Sequence, residues 1–204
     1  GDLLLKTDSL HISHLTKVLR QAEKSGILSD ANKIREGIMP IEQPELRIVN
    51  GELQDMTYMF RDTREGLRNI AIKSYLKAIE QDGMDEVAII VPRKENCDNS
   101  TLEINIKLSD ILLDKNGRTM KIGKKEYLVG SKVMQVDNNY EKNVFNGEVG
   151  YITKIEEVQN GKEKTLEFAV EFKMNDQTKV ITYTRSELDQ LDLAYAMTIH
   201  KSQG

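Results

Sequence analysis

Residues 130–155 read GSKVMQVDNNYEKNVFNGEVGYITKI, a stretch in which short apolar segments surround an Asn-Gly pair at 146–147. The residues after this pair alternate with the two-residue period of a β-strand, and Asn-Gly favours the tight turn of a hairpin. Similar pairs recur at Asn116-Gly117 and Asn160-Gly161, and Asn175-Asp176 marks another turn. This spacing predicts a small antiparallel β-barrel over residues 114–190.

The residues before this region follow a different pattern. Residues 62–65 resemble a capping pair before a helix that Gly83 ends, and a second helix is expected from about Ser100 to Leu113. Between them, Val87–Val91 is apolar on both faces, as in a strand buried in a parallel sheet. Four shorter elements are also predicted: helices near residues 13–22 and 27–36, a strand at 56–60, and a final apolar segment at 191–197.

The segment Leu191–Met197 resembles a continuation of the sheet in the first half of the chain. We therefore predict an α/β fold with a parallel sheet, in which the barrel is an insertion. The last ten residues, 195–204, place Thr, His, Lys, Ser and Gln directly after this strand. Ligands of open α/β sheets collect at the carboxyl ends of strands, so this segment is either a loop close to a phosphate or an ordinary polar connection.

Composition excludes several classes of protein. The 204 residues hold one cysteine, Cys97, which rules out a disulfide framework or a cysteine zinc site and fits a reducing cytoplasm. The longest apolar run, Val87–Val91, is far shorter than the roughly 20 residues that span a bilayer, so no membrane association is expected. With 29 Lys+Arg against 33 Asp+Glu, the net charge of −4 argues against a surface that is basic throughout.

A local basic groove is still compatible with this net charge. Residues 115–125 contain five cations and no acidic residue, and they form either such a groove or a solvated loop. The cations are Lys115, Arg118, Lys121, Lys124 and Lys125.

Three segments carry family motifs in the order in which the family has them. Residues 195–204, YAMTIHKSQG, resemble motif V of superfamily 1 DNA helicases of the RecD-like branch, the exodeoxyribonuclease V alpha subunit type. Residues 15–22, LTKVLRQA, resemble motif IV, although Leu19 replaces the usual aromatic residue. Residues 130–150 resemble the SH3-like barrel insertion of the family, with Ser131 where Asp is commoner.

The resemblance implies a domain organisation. Residues 1–113 would form the first part of the second RecA-like motor domain, which has no phosphate-binding loop of its own. Residues 114–190 would form the inserted SH3-like barrel, and residues 191–204 would return to the RecA-like domain and stop within motif V.

The resemblance also implies roles at the ATP site. Arg20 would be the arginine finger that reaches the γ-phosphate of ATP, where its planar, permanent charge offsets the charge that develops during transfer. Its alternative role is a surface ion pair with Glu23 or Glu36. Further residues would lie at the nucleotide cleft and couple it to the DNA contact: Gln21, Lys201, Ser202, Gln203 and Gly204.

Contacts with single-stranded DNA are implied in two places. Thr198 and His200 would lie beside the DNA backbone, although His200 is also compatible with an ordinary loop histidine. On the barrel, the implied contacts are Asn138, Asn139, Tyr140 and Asn146, with Tyr140 able to stack on a base of any identity. Asn146-Gly147 has the alternative role of only turning a hairpin.

The sequence lacks the parts that hydrolyse ATP. Its Gly-Lys pairs are not followed by Ser or Thr, and the acidic pair Asp85-Glu86 precedes a strand where a Walker B pair would follow one. We therefore expect a C-terminal fragment that is inactive alone, with ATP and Mg²⁺ bound mainly by a first motor domain outside it. No cofactor or metal is expected in the fragment itself, since His11 and His14 have no third ligand nearby.

The predicted function is that of the intact parent. It would translocate 5′→3′ on single-stranded DNA and unwind duplexes in recombination and repair in the cytoplasm. Its partners would be single-stranded DNA, the missing N-terminal RecA-like domain and, if the parent works in a nuclease complex, the other subunits. The alternatives are a non-enzymatic module that binds nucleic acid or protein, and the helicase part of a mobile-element relaxase.

Overall fold

The computed structural model describes residues 23–42, 45–160, 163–174 and 177–203. The backbone divides into two compact units, residues 1–61 and residues 62–204. Three predicted site residues lie outside the described residues: Arg20, Gln21 and Gly204. The same holds for His11, His14 and the whole motif IV segment.

The first unit contains helix α1 (Gly26–Arg35) and an antiparallel hairpin of β1 (Arg47–Asn50) and β2 (Met56–Met59). The predicted helix and the strand at 56–60 are confirmed, whereas β1 carries no strong alternation and was not predicted. The buried Asp30 carboxylate joins α1 to the hairpin, since it accepts hydrogen bonds from Asn50 Nδ2 at 2.6 Å and Tyr58 OH at 2.7 Å. Burial opposes its charge, but these bonds outweigh burial and lower the pKa of Asp30.

The second unit opens with the two helices that the sequence predicts. Helix α2 (Arg64–Asp82) begins where Thr63 Oγ1 accepts a hydrogen bond from the Gly66 N–H, and it ends at Gly83, whose φ is 88°. Helix α3 (Thr101–Leu112) is capped by Ser100. These ends are correct because capping depends on residues within one turn of the helix.

Strand β3 lies between these helices and is shorter than predicted. It covers only Ile89–Val91 and pairs in parallel with β11 (Ala196–Thr198). The expectation of burial on both faces is wrong for Ile90, which is 54% exposed. In the described part of the chain β11 is the one strand paired with β3, so the parallel sheet there has two strands.

The remaining strands are antiparallel. A hairpin of β4 (Thr119–Ile122) and β5 (Lys125–Leu128) precedes a five-stranded sheet in the order β10-β6-β7-β8-β9. Its strands are β6 (Lys132–Gln135), β7 (Val149–Asn160), β8 (Glu163–Met174), β9 (Gln177–Thr184) and β10 (Leu191–Leu193). A 3-10 helix, Arg185–Gln190, joins β9 to β10.

Glycine is needed where β7 meets β8. Gly150 pairs with Phe172, and a Cβ atom at position 150 would lie 2.5 Å from the carbonyl oxygen of Glu171. Any side chain there would push the two strands apart, which gives a physical reason for the last glycine of the family-like segment at residues 130–150.

The final apolar segment differs from its predicted placement. Leu191–Leu193 pairs antiparallel with β6 and therefore belongs to the five-stranded sheet, whereas the parallel pairing with β3 starts only at Ala196. The change from antiparallel to parallel pairing thus falls between Leu193 and Ala196. The wider division into a RecA-like domain and a barrel stays a prediction.

One hydrophobic core runs through the second unit. It joins side chains of α2, α3 and β11 to those of the antiparallel sheet. Its largest members with no more than 2% exposure are Tyr75, Tyr127, Phe168, Phe172, Tyr183 and Tyr195.

A polar cluster that is buried at Lys132 and exposed at Asp85 ties the loop before β3 to the sheet. The Lys132 ammonium, on a side chain that is 3% exposed, donates to the Met84 carbonyl, and burial lowers the pKa of Lys132. Asp85 accepts hydrogen bonds from Tyr151 OH and from Lys173 Nζ, which together lower the pKa of Asp85. The loop is therefore held on the sheet by charge-assisted hydrogen bonds as well as by apolar contact.

Candidate nucleic-acid interface

The motif V-like segment lies at the carboxyl end of the parallel strand pair. Thr198, the last residue of β11, pairs with Val91, so β3 and β11 end side by side. Thr198 is half-buried and His200 is exposed in the turn that follows. The Ser202 hydroxyl closes this turn by donating to the Ile199 carbonyl at 2.7 Å. The predicted position after a strand is thus observed for this segment.

Asn105 fixes the position of β11. Its Nδ2 donates to the carbonyls of Leu193 and Ala196 at 2.9 Å each, and its Oδ1 accepts from the Ala196 N–H at 2.7 Å. The whole amide is buried on α3 and satisfied by backbone groups far away in sequence. Asn105 was assigned no role from the sequence, although an amide between the core residues Ile104 and Leu108 was the available signal.

The loop over residues 138–147, here called the 138–147 loop, is built by its own asparagines. Asn138 Oδ1 accepts from the Asn146 N–H at 2.9 Å, and Asn139 Oδ1 accepts from the Lys142 N–H at 3.0 Å. Asn139 Nδ2 donates to the side chain of Gln190, so both ends of this amide are used within the protein. Gly147 has φ 95°, which agrees with the turn role of Asn146-Gly147.

Tyr140 stands out from this loop. Its side chain is 77% exposed, and its ring packs edge-on against Phe145 with the centroids 6.0 Å apart. One lysine braces the same loop: Lys179 Nζ donates to the carbonyls of Lys142 and Asn143. An exposed ring on a braced loop is suited to stacking against a flat partner.

Lys201 joins the strand-end turn to this loop. Its Nζ donates to Asn146 Oδ1 at 2.8 Å and to the Val136 carbonyl at 3.2 Å. Two groups of residues that were predicted separately, the motif V-like turn and the 138–147 loop, therefore form one surface. The predicted coupling of Lys201, Ser202 and Gln203 to a nucleotide cleft stays a prediction.

The predicted basic groove at residues 115–125 is not a bare cationic surface. Its residues form the β4–β5 hairpin and the turn before it, and three of the five cations have acidic partners. Lys115 pairs with Asp110 at 2.6 Å, Lys121 with Glu126 at 3.7 Å, and Lys125 with Asp192.

Lys125 and Asp192 border a cleft beside the ends of β3 and β11. Its floor is apolar and includes Leu102, Met134, Leu193 and Met197. Its polar rim consists of Lys94, Glu95, Thr101, Lys125, Asp192, Thr198 and Lys201. Sequence reasoning missed Lys94 and Asp192 as site residues, because the cleft joins segments that are distant in the chain.

The described residues contain neither a membrane-spanning helix nor a metal-binding group. Across residues 23–42, 45–160, 163–174 and 177–203, no helix is long and apolar enough to cross a membrane. Within the same ranges, no group of three His, Cys, Asp or Glu side chains is placed to hold a metal ion.

Comparison with known proteins shows which proteins this chain is similar to. Residues 104–172 match the family described as the SH3 domain of ATP-dependent RecD-like DNA helicases. The match begins within α3 and continues into β8, so it includes the 138–147 loop. The resemblance to RecD-like helicases is therefore confirmed.

A particular relative is the ATP-dependent RecD2 DNA helicase of Deinococcus radiodurans. It is 28% identical over 191 residues, which make up 93% of this chain and 23% of that protein. The chain thus spans about a quarter of the length of this curated relative.

Similar solved structures are Pif1 helicases from Bacteroides. The match to a double mutant has 21% sequence identity and a TM-score of 0.33. It covers 93% of this chain and 42% of the Pif1 chain. The match to the form bound to single-stranded DNA has 21% sequence identity and a TM-score of 0.31. It covers 72% of this chain and 42% of the Pif1 chain. Superposition at this level is too weak to carry a functional argument.

Proposed function

We propose that this chain supplies the second RecA-like motor domain and SH3-like barrel of a RecD-like helicase, and that it binds single-stranded DNA. The observation that carries the proposal is the hydrogen bond between Lys201 and Asn146. It makes the strand-end turn and the 138–147 loop one continuous surface.

The chemistry of this surface suits a single strand. Binding without sequence preference needs polar or cationic groups along the sugar-phosphate backbone and aromatic rings for the bases. Thr198, His200 and Asn138 supply polar groups, and Tyr140 supplies an exposed ring. Asn146 would act mainly by orienting Lys201, and Asn139 by holding the loop.

The motor activity belongs to the intact protein. In it, ATP and Mg²⁺ would bind mainly to an N-terminal RecA-like domain, and Arg20 would reach the γ-phosphate from the second domain with Gln21 beside it. Residues Lys201 to Gly204 would couple the DNA contact to that cleft. Travel in the 5′→3′ direction and a role in recombination and repair complete the proposal.

Titration of a fluorescent oligodeoxythymidylate with the purified chain tests the DNA contact. We expect weak binding whose affinity falls steeply between about 50 and about 200 mM salt, because each phosphate contact releases counterions. An affinity that does not change over this range would contradict a contact dominated by phosphates.

A double-mutant cycle tests the link between Lys201 and Asn146. Lys201→Ala and Asn146→Ala should each weaken binding, and the double variant should lose less than the sum of the two, with a coupling energy of at least about 0.5 kcal/mol. Strictly additive losses would show that the two residues do not act together on DNA.

A further inference from the structure

The cleft beside β3 and β11 contains a charge arrangement that the proposed function does not use. It opens between β5, β6, the start of α3 and the loop after β3, at the carboxyl ends of the parallel strands. Its lining includes apolar side chains from α3, β6, β10 and β11. Its rim presents lysines from three separate segments: Lys94, Lys125 and Lys201.

One carboxylate at the mouth of the cleft holds two of these lysines. Asp192 Oδ1 forms a close ion pair with Lys125 Nζ, and Asp192 Oδ2 lies 3.5 Å from Lys94 Nζ. Lys125 comes from the β4–β5 hairpin and Lys94 from the loop after β3, so the carboxylate bridges two elements. The side chains remain accessible, at 23% exposure for Asp192, 28% for Lys125 and 63% for Lys94.

This bridge resembles the arrangement that a phosphodiester would make. A backbone phosphate also carries one negative charge shared by two oxygens, and each oxygen can accept from a separate ammonium group. The apolar floor lies next to this position, where the sugar or base of the same nucleotide would rest. The Thr198 hydroxyl borders the same cleft and can donate to a neighbouring phosphate.

We propose that this cleft is a subsite for one nucleotide of single-stranded DNA, with Lys94 and Lys125 as its phosphate contacts and Asp192 as an internal competitor for them. The proposal rests on the DNA-binding function proposed above. Asp192 occupies the phosphate position when DNA is absent and weakens the contact when DNA is present. A strand held in this way exchanges readily, which a protein that moves along DNA requires.

The hairpin offers a matched control for Asp192. Glu126 likewise bridges two lysines, Lys115 at 3.8 Å and Lys121 at 3.7 Å. This second bridge has the same charges, and none of its three side chains lines the cleft. Asp192→Asn and Glu126→Gln therefore change the net charge equally, but they differ in location and in that Lys115 keeps Asp110 as a partner.

The test measures the affinity of the chain for a fluorescent oligodeoxythymidylate at several salt concentrations. Asp192→Asn should raise the affinity about threefold or more, because it frees two ammonium groups for phosphate, while Glu126→Gln should stay within about twofold of the wild type. Lys125→Gln should lower the affinity and reduce the slope of log K against log salt by about 0.7, the value for one phosphate contact on a single strand. Lys125→Arg should retain both, and Lys121→Gln should change neither.

The outcomes separate the two proposals. If Asp192→Asn and Glu126→Gln raise affinity equally, the effect is general charge and the subsite is overturned. If the wild type binds DNA and depends on Tyr140 but not on Lys94 or Lys125, the subsite alone fails. If the wild type does not bind DNA, both proposals fail, because the subsite rests on the DNA-binding function. Lys94→Gln is a second variant that keeps the test decisive should changes at Asp192 or Lys125 disturb folding, because the Lys94 side chain is largely exposed.

Discussion

Tyr140 presents its ring to solvent instead of burying it, although aromatic side chains ordinarily gain by burial. Five hydrogen bonds hold the 138–147 loop in place, three made by asparagine side chains and two by the Lys179 ammonium group. An exposed ring held in this way has lost freedom in advance, so less entropy is lost when a base stacks on it.

Tyr140→Ala should lower the affinity for single-stranded DNA by about five- to a hundredfold, the range for loss of one stacked base. Tyr140→Phe keeps the ring and should bind nearly as the wild type does. Fluorescence anisotropy with an oligodeoxythymidylate measures both variants. Equal losses in the two variants would assign the effect to the hydroxyl and not to stacking.

Single residues at the site could be predicted only in part from the sequence. Thr198, His200 and Tyr140 could be proposed from the sequence because motif-like segments mark them locally. Asp192 and Lys94 were not, because their relation exists only after β10 and the loop after β3 come together. Lys125 stood within a basic run, but nothing in the run distinguishes it from Lys121.

At the scale of elements, α3 is the support for the site. Its buried face packs in the core through Ile104 and Leu108, and Asn105 on that face bonds to the backbone of β11. The amide makes three hydrogen bonds to backbone groups that have no access to water. The position of Thr198 and of the turn after it therefore depends on one side chain of α3.

Asn105→Ala should reduce the free energy of unfolding by about 2 to 4 kcal/mol, because it leaves two carbonyls and one N–H buried without partners. Ile111→Ala, on the same helix but at a position that is 56% exposed, should change it by no more than about 0.5 kcal/mol. Urea unfolding measures both. A loss below 1 kcal/mol for Asn105→Ala would mean that β11 is held by packing alone.

Elements defined by local signals agree with the sequence prediction, whereas the pairing of distant segments agrees only in part. Helices α2 and α3 begin directly after their caps, Thr63 and Ser100. The final segment was expected to continue the sheet of the first half: Ala196–Thr198 does pair with β3, but Leu191–Leu193 pairs with β6, and the mainly apolar run over residues 191–197 does not distinguish the two. Periodicity reports which residues are buried, but it does not report against which partner.

The polar cluster at Asp85 makes the stability of the second unit depend on pH. Hydrogen bonds from Tyr151 and Lys173 lower the pKa of Asp85 below its value in the unfolded chain. The stabilisation is therefore present above the unfolded pKa, near 4, and is lost as the pH falls through the folded pKa.

Asp85→Asn should lower stability at pH 7 by at most about 1 kcal/mol, as for other half-exposed ion pairs, and the difference from wild type should vanish in acid. Urea midpoints at pH 7 and near pH 3 measure this change. Asp82→Asn, at an exposed position at the end of α2, should follow the wild-type profile. A difference for Asp85→Asn that persists in acid would contradict the assigned cause.

Arg20 can be tested only in a longer protein that includes the first motor domain. There, if Arg20 acts as an arginine finger, Arg20→Ala should leave ATP binding largely intact and cut ATP turnover by about a thousandfold or more. Steady-state hydrolysis and nucleotide binding are measured separately. Near-normal turnover would remove Arg20 from the proposed mechanism.

The parallel pairing of β3 with β11 also has a consequence for the order in which the chain folds. Asn105 and Ala196 are 91 positions apart, and the antiparallel strands β4 to β10 lie between them. Closing so long a loop is slow unless the intervening chain is already compact, whereas the β7–β8–β9 meander forms from neighbouring segments. The antiparallel region would therefore fold early and bring the two ends together, and β11 would dock last. A lesion in the core of this region, for instance at Phe168, should then delay formation of the motif V-like turn after β11.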